Sequence, residues 1–340
     1  MRFLFQWGVR PTITLLTLFF AANGRDCWAT SNHWGVVALT EWQAARQTIV
    51  SNMQTITGPL PDSSRRCALE LEVLEETDAG TFLRQRIAYT TEPGSRVNAF
   101  LLVPKGNPKW PAVLALHQTH ALGSKVVVGL GNSPNDQYGV ELARRGYVVL
   151  APPYPLLADY QPDLKKLGYA SGTMKAIWDN IRALDVLESL PSVKKGSFGA
   201  IGHSLGGHNA LFTAAFDDRI KVVATSCAFD SFRDYMNGNI RGWTSERYMP
   251  RLLDHPLDKL PFDFHDVLAA LAPRQVFVSA PLGDTNFKWQ SVDAVAREAW
   301  KVYRLHDAEG NLQIVHPDCG HIFPPEIREQ AYRLFDKVLQ

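Results

Sequence analysis

The hexapeptide Gly202-His203-Ser204-Leu205-Gly206-Gly207 holds the residues best suited to covalent chemistry. A serine with glycine two places before and two after it can occupy a sharp, strained turn between a strand and a helix, its hydroxyl exposed. Side chains at positions 202 and 206 would collide with neighbouring backbone, and the N–H of Leu205 at the helix start would point toward a developing oxyanion. A hydroxyl is a poor nucleophile unless a base takes its proton. His321, in the loop Pro317-Asp318-Cys319-Gly320-His321 before the last expected helix, is placed to be that base. His316 is the rival, but it ends a strand, where the sheet would hold it rigidly. His33, His255 and His306 have no such setting and read as surface or structural residues. The acid that orients the base should lie on a loop after a strand. Asp284, in Pro281-Leu282-Gly283-Asp284-Thr285-Asn286, is preferred, with Asp230 after the preceding strand as the alternative. Glu309 and Asp318 read as solvated loop charges. Together these groups predict acyl transfer through a covalent serine intermediate.

A second oxyanion donor is expected from the loop His117-Gln118-Thr119-His120, with the Thr119 N–H first and Gln118 close behind. His117 and His120 have no cysteine or carboxylate nearby at ligand spacing, so no metal is expected there. Their better reading is that of hydrogen-bonded loop histidines. His117, Gln118, Tyr154 and Trp243 nevertheless fall where a substrate would lie, as do Tyr160 and Tyr248. Aromatics there suit a sugar ring or an aryl acyl group, and equally the packing of a cap.

These residues need a scaffold. A helix is expected over 39–56, then one-sided antiparallel strands at 67–74 and 82–103, the latter broken by the turn Glu92-Pro93-Gly94-Ser95. From position 111 the pattern changes. The run 112–116 is continuously apolar, as in a strand buried on both faces of a parallel sheet. Strands at 147–150, 199–201, 222–226, 275–279 and 312–315 alternate with helices at 138–145, 173–190, from 205, 292–303 and 325–339. That alternation predicts an α/β fold, a mostly parallel doubly wound sheet with an antiparallel start. The segment 232–271, rich in Trp, Tyr, Pro and Arg and without a clear period, is expected to be a cap insertion over the carboxyl edge of the sheet, where such folds bind ligands.

The segments Leu114-Ala115-Leu116-His117-Gln118-Thr119, Leu142-Ala143-Arg144-Arg145-Gly146-Tyr147-Val148, the serine hexapeptide, Leu271-Ala272-Pro273-Arg274 and Asp318-Cys319-Gly320-His321-Ile322-Phe323-Pro324 resemble one group. They are similar to α/β-hydrolases of the dienelactone-hydrolase-like and acetyl-xylan-esterase-like bacterial kind, from about residue 65 onward. The resemblance implies cofactor-free hydrolysis of carboxylic esters, on acylated plant carbohydrate or other small esters. Two positions depart from it. Ser204 stands where dienelactone hydrolases proper use cysteine, which favours ordinary esters. Ala151-Pro152-Pro153-Tyr154 has proline where relatives carry aspartate, so no role passes to that position. Prolyl-oligopeptidase-like peptidases share fold and chain order, but the roughly 80 residues before the sheet core are too few for a propeller. A catalytically inactive ligand-binding homologue is the other alternative.

With 46% apolar residues, 20% charged residues and a net charge of +1, the 340-residue chain is neither disordered nor drawn electrostatically to nucleic acid or acidic membranes. The N-terminus is a separate matter. Arg2 and Arg10, an apolar run at 12–22, and the small residues of Cys27-Trp28-Ala29 have the layout of a secretory signal, with a buried helix as the alternative. The expectation is export to the periplasm or medium. A signal at 1–29 would leave one domain over 30–340 whose first part, 30–66, is an extension. No membrane span is expected after it. Cys67, Cys227 and Cys319 would remain, an odd number that argues against a full disulfide framework. Oligomeric state is left open.

Overall fold

Alternation and continuous apolar runs sort the strands into two kinds, and both are seen in the computed structural model, which describes residues 34–35, 38–106 and 109–340. The expected signal and His33 lie outside the described residues. The strands are β1 (Glu72–Asp78), β2 (Phe82–Glu92), β3 (Ser95–Pro104), β4 (Trp110–Leu116), β5 (Val148–Ala151), β6 (Val193–His203), β7 (Ile220–Ser226), β8 (Gln275–Ser279) and β9 (Leu312–Val315). They form one sheet in the order β1-β2-β3-β5-β4-β6-β7-β8-β9. Pairs from β1 to β5 along that order are antiparallel, and every pair beyond is parallel. This is the mostly parallel sheet with an antiparallel start that the pattern predicts.

The helices are α1 (Leu39–Thr57), α2 (Tyr138–Arg144), α3 (Gly172–Ser189), α4 (Leu205–Phe216), α5 (Phe264–Ala270), α6 (Trp289–Leu305) and α7 (Pro325–Leu339). Strand β4 divides its side chains between two cores. Ala112, Leu114 and Leu116 join residues of α1, α3, α4, α5 and α6. Val113 and Ala115 join residues of α2 and α7 on the other face. Period-two alternation across a doubly covered sheet requires this division.

The first strand begins later than expected, at Glu72 rather than 67. Its pairing runs from Glu72 opposite Ala88 to Asp78 opposite Leu83. As the outermost strand it has no second neighbour, and Leu71 and Val73 stay exposed. Apolar alternation there has no core to enter and does not mark the strand's bounds. At the other end of β2, Glu92 is buried with Lys175, whose Nζ lies 3.0 Å from Glu92 Oε1 and 2.5 Å from Asp179 Oδ1. Arg65 closes on Glu92 at 2.6 Å, so two cations and two carboxylates tie the β2–β3 turn to α3.

The stretch 232–271 folds as short 3₁₀ turns, Tyr235–Gly238, Ile240–Trp243, Pro250–Asp254 and Leu257–Lys259, followed by α5. Phe232, Trp243, Met249, Leu252 and Phe262 enter the same core as α3 and α4. Backbone bonds from Gly172 N–H to Glu246 O (2.8 Å) and from Thr173 N–H to Tyr248 O (3.4 Å) join it to the start of α3.

Candidate active site

Strand β6 runs directly into α4 through Ser204, which sits at φ 52°, ψ −121°. A non-glycine residue there is strained, and the surroundings must hold it. A Cβ on Gly202 would lie 2.2 Å from Gly206 backbone, and one on Gly206 would lie 1.9 Å from Leu116 O. The two glycines thus let α4 press against the end of β4. The Ser204 N–H donates to Ser226 O at 2.8 Å, anchoring the turn to β7. Leu205 opens the helix, where first-turn N–H groups have no intrahelical acceptor.

His321 and Asp284 come from two loops stitched together. Leu282 N–H donates to Pro317 O at 3.0 Å and Gly283 N–H to Cys319 O at 2.9 Å. Across that seam His321 Nδ1 lies 3.0 Å from both Asp284 carboxylate oxygens. The Asp284 side chain is buried, 1% exposed. Burial raises its pKa, but hydrogen bonds from His321, the Asn286 N–H and Cys227 outweigh that and hold it below the usual carboxylate range. An ionised carboxylate only accepts, so Nδ1 of His321 carries the proton and Nε2 is left as the basic nitrogen. The His203 ring lies 4.9 Å from that of His321. Burial, with His321 alongside, pushes His203 down to about 3, so it adds no competing charge.

Ser204, His321, Leu205 and Thr119 line one cavity of about 340 Å³. Trp243, Tyr248, Tyr235 and Phe287 complete an aromatic wall, with His208 and Asn286 between them. The Thr119 hydroxyl meets the Tyr248 hydroxyl at 3.2 Å. Among the described residues, no Lys, Arg, Asp or Glu side chain lines this cavity.

Other expected residues stand behind the wall. His117 donates from Nδ1 to Gln118 O at 2.8 Å and accepts the Tyr154 N–H on Nε2 at 3.0 Å. With both nitrogens used and burial pushing it down to about 4, it orders the loop and is corrected from substrate contact to structural residue. Tyr154 is likewise corrected: its hydroxyl bonds Thr173 Oγ1 (3.1 Å) and Arg247 O (3.2 Å), holding 232–271 against α3. Gln118 is buried beside them and does not line the cavity. His120 Nδ1 accepts the Leu122 N–H. His316 is held by Ala280 O and Asp293 at 2.8 and 3.0 Å. Asp230 accepts the Lys288 N–H at 3.1 Å, and burial pushes it up to about 7; it makes no bond to His321.

Cys227, Asp284 and His321 place one potential ligand atom each within 4.8 Å of the others. Burial drives the Cys227 thiol well above its ordinary value. The protonated thiol donates to Ile322 O at 3.5 Å, and a metal would demand the thiolate and break the His321–Asp284 bond. Cys67, Cys227 and Cys319 are all free thiols.

Three comparisons give this geometry its context. A glucuronoyl esterase structure from Solibacter usitatus superposes with a TM-score of 0.69 at 18% identity, over 89% of this chain and 94% of its own. The chain is an α/β-hydrolase by fold. Residues 97–229 match the dienelactone hydrolase family. "Putative hydrolase YtaP" of Bacillus subtilis (strain 168) is 26% identical over 84% of this chain and 96% of its own length. A 4-O-methyl-glucuronoyl methylesterase of Hypocrea jecorina (strain QM6a) is 28% identical over 52% of this chain, which spans 43% of that relative.

The reading of the residues missed His208. The signal was available: four places after Ser204 on a helix lies one turn further along the same face. Asn286 and Phe287, two and three places after Asp284, line the cavity, and their N–H groups bind its Oδ1 at 2.8 and 3.3 Å.

Proposed function

We propose that this α/β-hydrolase is a serine carboxylic-ester hydrolase that works through an acyl-enzyme on Ser204. His321 takes the serine proton and returns it to the leaving alcohol. Asp284 fixes the His321 tautomer and stabilises the imidazolium, and the N–H groups of Leu205 and Thr119 receive the oxyanion. The observation that carries this reading is a strained serine sharing one cavity with a histidine whose far nitrogen is held by a buried carboxylate. Acylated carbohydrate is the preferred substrate class, supported by the aromatic wall and by the sugar-ester activities in the names of the similar proteins. Action outside the cytoplasm follows from the N-terminal signal pattern at 1–29, with 232–271 as the cap over the cavity.

Ser204→Ala should lower kcat on p-nitrophenyl acetate at least about 10³-fold. It should also abolish labelling by a fluorophosphonate. Labelling that persists in the variant, or turnover near that of the parent, would remove Ser204 as the nucleophile.

A further inference from the structure

The segment 232–271 meets the loop after β4 at a pair of hydroxyls, those of Tyr248 and Thr119, 3.2 Å apart. Both residues line the cavity that holds Ser204. Tyr248 is firmly mounted. Its N–H donates to Ser245 O at 2.8 Å, and its carbonyl accepts the Thr173 N–H at 3.4 Å, at the start of α3. Its ring lies 6.0 Å from Trp243, 5.8 Å from His208 and 6.3 Å from Tyr154. Phenylalanine would fill that cage equally; the hydroxyl is the part that reaches Thr119.

Thr119 is exposed, and among the described residues its N–H has no acceptor. That N–H belongs to the planar Gln118–Thr119 peptide, whose C=O and N–H point in opposite directions. His117 Nδ1, donating to Gln118 O at 2.8 Å, sets the tilt of the plane from its carbonyl edge. The far end of the peptide, the Thr119 Cα, is held by the Tyr248 hydroxyl through a β-branched side chain with little freedom at χ1. The bond is at the long end for two hydroxyls, as polar contacts around a reaction centre often are before substrate arrives.

We propose that Tyr248 is a positioning residue for the oxyanion site: its hydroxyl tethers Thr119 so that the Thr119 N–H stays aimed at the oxyanion. This rests on the ester-hydrolase reading, in which that N–H is the second donor. Such a donor works only if it is in place before charge develops, and a misplacement of about 1 Å in a catalytic group costs on the order of 10²-fold in rate. Because Tyr248 belongs to 232–271, the tether also makes oxyanion binding depend on how that segment is seated.

Tyr248→Phe removes one oxygen and keeps the ring. On p-nitrophenyl acetate kcat and kcat/KM should fall together, about tenfold, leaving KM within about twofold of the parent. A trifluoromethyl ketone, whose adduct with the serine carries the oxyanion, should bind about tenfold more weakly, and its Ki does not depend on how much protein is folded. Thr119→Val keeps the N–H and the shape and should lose about as much. Adding Tyr248→Phe to it should cost less than about twofold more. A parent-like Ki in Tyr248→Phe would overturn the proposal. So would a loss confined to KM, which marks substrate contact, or effects of the two substitutions that multiply. If the parent neither hydrolyses the ester nor binds the ketone, the ester-hydrolase reading itself fails and the role of Tyr248 falls with it.

Discussion

The carboxylate of Asp284 is shared among His321 and the N–H groups of Asn286 and Phe287, and on the proposed mechanism only the first of these changes charge during turnover. Asp284→Asn would present an amide that can donate, turning the imidazole over and placing its proton on the side that faces the serine. The variant should fold normally and lose about 10³- to 10⁴-fold in kcat, the scale set by the wrong tautomer. Steady-state kinetics beside an unchanged melting temperature checks this; a loss below about tenfold would take the orienting role from Asp284. At this scale the pairing of His321 with Asp284 beside Ser204 was legible because chain order and loop setting restrict where those residues can lie. His117 and Tyr154 were not, because their roles depend on each other. The bond between the Tyr154 N–H and His117 joins positions 37 residues apart, and nothing in either local sequence announces it.

At the scale of elements, the elbow depends on how closely α4 approaches β4. Gly206→Ala puts a methyl group 1.9 Å from Leu116 O, where backbone and not a flexible side chain must yield. The variant should lose about 1–3 kcal/mol of stability and most of its fluorophosphonate reactivity together. Gly310→Ala, with nothing within 4 Å of the added carbon, should change neither. Urea unfolding and labelling on both variants separate the cases, and a fully reactive Gly206→Ala protein would show that the close approach is dispensable. Strand β8, strand β9 and helix α7 begin and end at the expected residues. Strand β6 instead starts at Val193 rather than 199, because its first half, with Lys194, Lys195 and Ser197, is polar and largely exposed. Beginning β1 too early has its cause in an edge with both faces wet. The 3₁₀ turns of 232–271 carry no period because each is only three to five residues long.

For the whole molecule, protons are stored unevenly. His117 is pushed down to about 4, and His203 and His208 to about 3, all chiefly by burial. Unfolded histidine titrates near 6.5, so below that pH the unfolded chain binds protons that the folded chain refuses. Stability from these three groups is therefore present above about pH 6.5 and lost as the pH falls. Asp230 acts with the opposite sign. Its folded value is raised to about 7, so its contribution is complete below about pH 4 and lost as the pH rises through 7. Taken by themselves the three histidines outnumber Asp230 and take up protons on unfolding near pH 5–6, while Asp179 and Asp263, also raised by burial, act with the sign of Asp230. The urea midpoint should fall between pH 7 and pH 5; a midpoint that rises would contradict the burial of neutral histidines. Asp230→Asn should gain on the parent as the pH goes from 5 to 8, because only the parent must ionise a buried acid there.

The seam between the loops after β8 and β9 has a kinetic meaning as well. Asp284 and His321 are tied by backbone bonds that neither involve Ser204 nor cross the β6–α4 turn. The proton-handling half of the site is thus assembled as a cassette, independent of the atom it serves. Ser204→Cys would meet the same prebuilt partner, with the change confined to one atom of the nucleophile. Such a scaffold can exchange one attacking chemistry for another by a single substitution, without its base having to be rebuilt around the newcomer.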